Sequence, residues 1–283
     1  MQGSRSLRHS RAARVMQLDA DMVVSLLLLG SVVGFMAGLL GIGGGGIMVP
    51  VLTAIFLARQ VPVEHVVHMA LGTSMASIIT TSAASMRAHH KHHAVLWPVV
   101  MKITPGVILG TFIATYFVTL IQPQYLALFF SVFMAYVAVQ MLINFQPRAQ
   151  RELPGRVALF LTGKGIGAIS AVVAIGGGTL TVPYLVWNNV GLKQAIGTSA
   201  AIGFPIALAG TIGYLWHARA ADSDLSYLFG YVYLPAVLLI SVVSYFTAPL
   251  GALLAHRLPV SLLKKVFAFF LVYLSLKMLV SVV

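Results

Sequence analysis

The chain contains no cysteine, few charged residues and very few acids. Without cysteine it cannot form a disulfide framework, a thiolate metal site or a cysteine nucleophile. Charged residues make up 8% of its 283 residues, whereas soluble domains carry about 25%. Hydrophobic residues make up 59%. This composition excludes an ordinary soluble domain and predicts a protein that crosses the lipid bilayer several times.

The formal net charge is +12, from 18 Lys and Arg against six Asp and Glu. In a soluble protein this excess would suggest binding to nucleic acid. In a membrane protein, Lys and Arg in short loops set the orientation of the spans. We therefore expect no nucleic-acid partner. We also expect a smaller share of the positive charge to attract anionic substrates toward the mouths of a pore.

Ten apolar segments follow one another along the chain. They are residues 22–40, 47–58, 69–88, 95–119, 125–144, 157–174, 180–190, 196–216, 231–254 and 260–282. Because they are uninterrupted rather than alternating, they exclude an outer-membrane barrel and predict an all-α polytopic protein with seven to ten membrane segments. The second and seventh are too short to span alone. Each is either the second half of a broken span or one arm of a re-entrant hairpin.

Both short segments follow a run of glycines. Residues 41–50 read Gly-Ile-Gly-Gly-Gly-Gly-Ile-Met-Val-Pro, and residues 174–183 read Ala-Ile-Gly-Gly-Gly-Thr-Leu-Thr-Val-Pro. Unpaired backbone at membrane depth is tolerated only where protein buries it or where it lines a cavity. Two such breaks in matching positions indicate a transporter binding site. The first run also satisfies the dinucleotide pattern G-x-G-x-x-G, but no strand precedes it, so that interpretation is excluded.

The two halves of the chain match in order, which predicts an internal duplication. The matching pairs are Gly30 and Gly163, Gly34 and Gly167, Pro50 and Pro183, residues 70–74 and 195–199, Tyr136 and Tyr273, and Met141 and Met278. We predict a basic N-terminus at residues 1–21, a first transmembrane repeat at 22–144, a linker at 145–156 and a second repeat at 157–283.

Charge predicts the sidedness of the loops only in part. The N-terminus, residues 87–93 and the linker are basic and are expected in the cytoplasm, which makes the first two segments one net crossing. In the second half, Asp222 and Asp224 indicate an external loop and residues 256–265 an internal one. This opposite pattern favours inverted repeats. It also requires residues 157–190 to form a hairpin or two crossings, and this asymmetry stays open.

The helices that restart after the glycine breaks are the candidate substrate site. A helix N-terminus offers unpaired N–H groups and a partial positive charge, which together favour an anion. Gly-Thr-Ser recurs at residues 72–74 and 197–199 and adds hydroxyl donors. The predicted substrate-binding residues are Gly43, Gly44, Gly45, Gly46, Thr73, Ser74, Gly176, Gly177, Gly178, Thr179, Thr198 and Ser199.

These motifs resemble those of the TauE/SafE family of bacterial sulfite and organosulfonate permeases. The similarity rests on Gly-Gly-Gly-x-x-x-Val-Pro at residues 43–50 and 176–183, each followed by Gly-Thr-Ser, and covers about residues 27–279. The resemblance implies a multi-pass protein of the bacterial cytoplasmic membrane with seven or eight spans. It also implies movement, usually export, of small sulfur-containing anions such as sulfite, sulfoacetate or other sulfonates. Thr179 departs from the pattern by replacing the fourth glycine of the first copy.

None of the six acids lies inside an apolar segment. Proton-coupled transporters commonly use a buried carboxylate, so H⁺ coupling would need a histidine or the substrate itself. Uniport, or Na⁺ bound by carbonyls and hydroxyls, remains an alternative. Lys102 lies within the fourth segment, where it either snorkels to the interface or faces a basic vestibule.

We expect a permease without enzymatic activity, cofactor or metal site. A channel-like permease for another small anion is the alternative, and a homo-oligomer is left open. A divalent-cation transporter that uses the histidines of residues 89–93 is less favoured, because no acid or cysteine accompanies them. Catalytic motifs such as H-E-x-x-H and G-x-S-x-G are absent from the sequence.

Overall fold

The structure is a computed structural model that describes residues 18–41, 43–143, 152–217, 227–257 and 261–282. Its helices are α1 (Ala20–Leu40), α2 (Gly45–Ala58), α3 (Val63–Lys91), α4 (Trp97–Val118), α5 (Pro123–Leu142), α6 (Arg156–Val173), α7 (Gly178–Trp187), α8 (Leu192–Trp216), α9 (Leu234–Arg257) and α10 (Ser261–Val282). A two-residue antiparallel pair, β1 (Leu228–Phe229) and β2 (Val232–Tyr233), precedes α9. Ile42, Asp222, Asp224 and most of the predicted N-terminus and linker lie outside the described residues.

Each of the ten predicted apolar segments corresponds to one helix, which confirms the all-α polytopic fold. Among the described residues, seven helices are long and apolar enough to cross a membrane. The helices that follow the glycine breaks are shorter, with 14 residues in α2 and 10 in α7. At 1.5 Å per residue, α7 extends only about 15 Å, so it cannot span the bilayer.

Helices α1 and α2 form a re-entrant hairpin. Asp19, which precedes α1, forms an ion pair with Arg59, which follows α2. Both ends of the pair therefore lie at one end of the bundle, which we call the Asp19 end. The expectation that these two segments make one net crossing is corrected, because the glycine break turns the chain back toward its starting point.

The next three helices cross the bundle in alternating directions. Near the start of α3, His68 Nε2 lies 3.1 Å from the carbonyl oxygen of Val118 at the end of α4, so α4 ends at the Asp19 end. At the opposite end, Trp97 Nε1 donates to His90 Nδ1 across the α3–α4 connection. We call this the His90 end. Residues 87–93 and the start of α1 therefore lie at opposite ends of the bundle, against the expectation that they share one side.

Helices α6 and α7 form a second re-entrant hairpin, which enters from the His90 end. Leu185 of α7 and Val190 pack against Val99 in the first turn of α4. Helix α6 runs parallel to α4, because Gly163 packs on Ile103 and Gly167, one turn later, packs on Val107. Both ends of the second hairpin thus lie beside the start of α4. In both halves the short helix is therefore the returning arm of a hairpin and not the second half of a broken span.

Small residues allow close packing between the two halves. Gly30, Gly34 and Gly38 place α1 against α9, in parallel, at Ile240, Ser244 and Ala248. A Cβ atom on Gly30 would lie 2.8 Å from the carbonyl oxygen of Ile240. Without a side chain at these positions the two backbones approach closely, as small residues permit in membrane helices. Each hairpin therefore packs on the fourth helix of the other half: α1 on α9, and α6 on α4.

Candidate functional site

The tips of the two hairpins touch at the centre of the bundle. A Cβ atom on Gly43 would lie 2.7 Å from the Cα atom of Gly176, and a Cβ atom on Gly176 would lie 2.9 Å from the Cα atom of Gly43. No side chain separates the two backbones at this point. The structure thus brings together the two glycine runs, which belong to different halves of the sequence.

Backbone conformation explains why the tips require glycine. Gly43, Gly44 and Gly177 have φ angles of 73°, 80° and 80°, a left-handed region that strains most other residues. Close approach adds a second reason at Gly45, where a Cβ atom would overlap the carbonyl oxygen of Ala174. From α8, Gly203 packs on the carbonyl oxygen of Gly176. Side chains at the tips would therefore force the hairpins apart.

Two helix N-termini begin directly at this contact. Gly44 and Gly177 are the N-cap residues of α2 and α7, and neither cap provides a side-chain hydrogen bond. Within each helix, the first amides that donate to the N-cap carbonyl are those of Ile47 and Leu180. The amides before them are the orphan donors expected at a helix start, and they carry the positive end of the helix dipole.

Both N-termini line one buried cavity. Its lining comprises Gly46, Met134, Ile175, Thr179, Phe267 and Leu271. The cavity encloses about 10 Å³, close to the smallest space that holds one water molecule. Gly46 and Thr179 occupy the second position of α2 and α7, respectively, and they are matching positions of the two glycine motifs. The cavity therefore lies between equivalent positions of the two halves.

Thr179 supplies the polar side chain of this cavity. Its hydroxyl oxygen is buried and has no hydrogen-bond partner within the described residues. A buried hydroxyl without a partner costs about 1–3 kcal/mol, and such groups call for an explanation. An oxyanion placed beside the N-termini would accept a hydrogen bond from this hydroxyl.

Helices α5 and α10 cover the other side of the cavity. Met134 of α5 and Leu271 of α10 both contribute to the lining. They are separated in sequence by the same number of residues as Tyr136 and Tyr273, so they occupy matching positions of the two halves. The helices are joined by a hydrogen bond of 2.9 Å from Ser131 Oγ to the carbonyl oxygen of Ser275. Sequence reasoning missed the four apolar residues of the lining, because apolar residues in apolar helices carry no chemical signal. In the sequence, only the constant spacing between the two halves indicated that Met134 and Leu271 occupy matching positions.

The two predicted Gly-Thr-Ser threonines lie elsewhere and anchor helix starts. Thr73 Oγ1 accepts a hydrogen bond from the amide of Tyr233, immediately before α9, at 3.0 Å. Thr198 Oγ1 accepts one from the amide of Leu96, immediately before α4, at 3.0 Å. These contacts lie toward the Asp19 end and the His90 end, respectively. Neither threonine lines the central cavity.

The two serines of these motifs differ from each other. Ser199 Oγ donates to the carbonyl oxygen of Ile196 at 2.8 Å and reaches that of Gly41, at the end of the first hairpin arm, at 3.3 Å. Ser74 Oγ is buried and has no hydrogen-bond partner within the described residues. Ser199 thus supports the first glycine break from outside the cavity.

The histidines of the described residues are not grouped into a metal site. His89 is buried and its Nε2 lies 2.9 Å from the carbonyl oxygen of Gly38, while His90 bonds to Trp97. Within the described part of the chain, no group of three His, Asp or Glu side chains could hold a metal ion. None of the described acids lines the central cavity. Asp21 and Glu64 occupy the first turns of α1 and α3, at the Asp19 end.

Comparison with known proteins gives consistent matches. The model of the family described as sulfite exporter TauE/SafE matches residues 26–278. A probable membrane transporter protein of Haemophilus influenzae is 35% identical over 257 residues, covering 90% of this chain and 97% of the relative. A probable membrane transporter protein of Methanocaldococcus jannaschii is 28% identical, covering 80% of this chain and 84% of the relative. No solved structure matches the chain.

Proposed function

This chain belongs to the sulfite exporter TauE/SafE family of membrane transporters, and from that premise we propose that it exports small sulfur-containing anions across the bacterial cytoplasmic membrane. Sulfite, sulfoacetate and other organosulfonates are the substrate class. The substrate's oxyanion group binds between the N-termini of α2 and α7, where the repeats must first move apart, because the central cavity of this structure has room for about one water molecule. The Thr179 hydroxyl donates a further hydrogen bond.

The observation that carries this proposal is the convergence of two helix N-termini and one hydroxyl on a single cavity. Gly46 and Thr179 bring the first turns of two helices to it, and the Thr179 hydroxyl oxygen is buried without a partner among the described residues. Helix N-termini favour anions, and hydroxyls add donors without adding charge. With the described acids confined to helix ends and loops, no carboxylate of the described residues opposes an anion there.

We propose further that the two halves, residues 22–144 and 157–283, are inverted repeats. The first hairpin enters from the Asp19 end and the second from the His90 end, and each packs on the fourth helix of the other half. This exchange of equivalent contacts is what a two-fold axis in the membrane plane produces. Alternating access then follows from rocking of one repeat against the other about the cavity.

The His90 end is assigned to the cytoplasm in this proposal. It carries the basic residues Arg87, Lys91, Arg156, Lys193 and Lys265, with Glu152 as its described acid. At the opposite end, Asp19, Asp21 and Glu64 are accompanied by Lys277 and by Arg59, which is paired with Asp19. By the positive-inside rule the more basic end faces the cytoplasm. This assignment places the start of α1 on the external side, in contrast to the cytoplasmic location expected for residues 1–21.

Coupling to H⁺ or Na⁺ does not involve a carboxylate at this site. The cavity lining contains one polar side chain, Thr179, and otherwise glycine and apolar residues. Such a lining suits an anion that carries its own proton, or uniport down a gradient. We therefore expect export of a weakly acidic anion such as sulfite to depend on pH through the substrate.

The test is the pair Thr179→Val and Thr181→Val. Both hydroxyl oxygens belong to α7, are buried and have no partner among the described residues, but only Thr179 lines the cavity. Because valine keeps the shape and removes an unpaired group, neither variant should lower the unfolding temperature. A hydrogen bond to a charged group contributes about 1.5–3 kcal/mol. Thr179→Val should therefore weaken sulfite or sulfoacetate binding about 10- to 100-fold, and Thr181→Val should not.

A second variant fills the cavity instead of changing its polarity. A Cβ atom on Gly46 would lie 3.1 Å from Leu271 Cδ2 and 3.2 Å from Met134 Sδ, both at flexible side-chain ends. Gly46→Ala should therefore fold and should transport sulfite more slowly in proteoliposomes. Wild-type rates in both Gly46→Ala and Thr179→Val would move the substrate site away from this cavity. Failure of the wild type to transport or bind any sulfur-containing anion would reject the substrate class.

A further inference from the structure

A basic groove lies on the outer surface of the bundle near the His90 end, away from the central cavity. It runs between the first turns of α4 and α6 and has a volume of about 630 Å³. Its charged lining is Lys102 and Arg156, and its apolar lining includes Met101, Val157 and Phe160. Lys102, whose position within the fourth apolar segment left its environment open, thus lines a groove on the surface of the bundle.

The two cations of this groove form no ion pair with the described part of the protein. Lys102 and Arg156 are exposed, and neither takes part in an ion pair within the described residues. No acid contributes to the lining. Because α4 and α6 run in parallel, their N-termini lie side by side here and add two positive dipole ends. The electrostatic potential of the groove therefore favours an anionic group.

The apolar part of the groove continues into an exposed apolar surface of α4 and α6. Met101 is 67% exposed and Val157 is 74% exposed, whereas a water-filled vestibule for small ions would be lined by polar side chains. One turn or two further along the same helices, Leu109 and Leu161 are also exposed. An occupant that satisfies both parts must carry an anionic head beside the cations and hydrocarbon along α4 and α6.

We propose that this groove binds the headgroup of an anionic phospholipid, with the phosphate between Lys102 and Arg156 and the acyl chains along the apolar faces of α4 and α6. Helix α4 begins at Trp97, five residues before Lys102, so the Cα atom of Lys102 lies about 7.5 Å along the helix from its start. A long lysine side chain reaches the headgroup layer from that depth. Basic pockets between transmembrane helices are a known form of lipid recognition.

The experiment measures lipid binding to the delipidated full-length protein by native mass spectrometry. Phosphatidylglycerol is compared with phosphatidylcholine, which has the same chains and no net charge. Each cation near the surface contributes about a fivefold preference for an anionic lipid. We expect the wild type to prefer phosphatidylglycerol, and Lys102→Gln/Arg156→Gln to lose up to about 25-fold of that preference.

The matched control is Lys277→Gln, which removes an exposed lysine of α10 near the Asp19 end and should leave the preference unchanged. Soluble glycerol phosphate, added in excess, should not displace the lipid. An undiminished preference in the double variant would overturn the proposal, as would equal binding of the two lipids by the wild type. Full displacement by glycerol phosphate would also overturn it and would assign the groove to small anions.

Discussion

Two neighbouring glycines of α6, Gly163 and Gly165, should respond to alanine with opposite signs. A Cβ atom on Gly163 would lie 2.5 Å from the carbonyl oxygen of Ile103 and 3.2 Å from the amide nitrogen of Val107. Both atoms belong to the backbone of α4 and cannot rotate away. A Cβ atom on Gly165 would meet nothing within 4 Å. The pair therefore isolates the close approach of α6 to α4 from the general effect of alanine in a helix.

The magnitudes follow from these contacts. Carbon–oxygen contacts are normally about 3.3–3.6 Å, so Gly163→Ala must move α6 and α4 apart by roughly 1 Å. Overpacking of this kind costs about 1–3 kcal/mol. Gly165→Ala gains the helix preference of alanine over glycine, about 0.8–1.0 kcal/mol in aqueous hosts. Because alanine gains this helix preference at both positions, the free energies of unfolding of the two variants should differ by the overpacking cost alone, about 1–3 kcal/mol.

The assay is reversible unfolding in mixed micelles, followed by circular dichroism, for the wild type and both variants. Gly163→Ala should unfold at lower denaturant than the wild type, and Gly165→Ala at the same or higher denaturant. A Gly163→Ala variant as stable as Gly165→Ala would refute the parallel packing of α6 on α4. The re-entrant path of the second hairpin would then lose its main support.

Two further predictions use other parts of the fold. Because the chain has no cysteine, Gln60→Cys and Asn189→Cys can be labelled in an otherwise unreactive protein; both residues are exposed at the outer ends of the hairpins. A membrane-impermeant maleimide should label Gln60→Cys from one side of the membrane only and Asn189→Cys from the other side only. Labelling of both variants from the same side would contradict the entry of the two hairpins from opposite ends. Thr73→Val removes the acceptor of the Tyr233 amide, and Thr198→Val removes the acceptor of the Leu96 amide. Each variant should lower the free energy of unfolding by about 1–3 kcal/mol, measured by thermal unfolding. The control is Thr53→Val, which should not lower it, because the Thr53 hydroxyl has no partner among the described residues.

The sequence predicted the helices and the two glycine breaks well, because both depend on local chemistry. Apolar length identifies a membrane helix, and a run such as residues 43–46 has few uses in one besides a break. The sequence could not predict that Asp19 pairs with Arg59, because the direction of the chain after a break depends on what the next helices pack against. Charge counting treated the breaks as interruptions of a span and therefore assigned the first two segments to one crossing.

The hydroxyls show a second limit of sequence reasoning. Thr73, Thr198 and Thr179 are all threonines beside glycines in apolar helices, and nothing local separates an anchor from a cavity residue. The difference arises from distant partners. Thr73 meets the amide of Tyr233, in the other half of the chain, whereas Thr179 lines a space framed by Met134 and Leu271. Recurrence at a constant spacing indicated that these positions matter but not what they do.

The packing of α1 on α9 also has a consequence for how the protein is made. Gly30 lies against Ile240, so α1 leaves the ribosome long before its partner helix, which is the next to last of the fold. At roughly 5–20 residues per second, synthesis of the intervening chain takes about 10–40 s. During this interval the glycine-lined face of α1 and the tip of the first hairpin lack their final neighbours. Because Phe267 and Leu271 of α10 line the central cavity, this cavity is completed only after nearly all of the described chain has been synthesised.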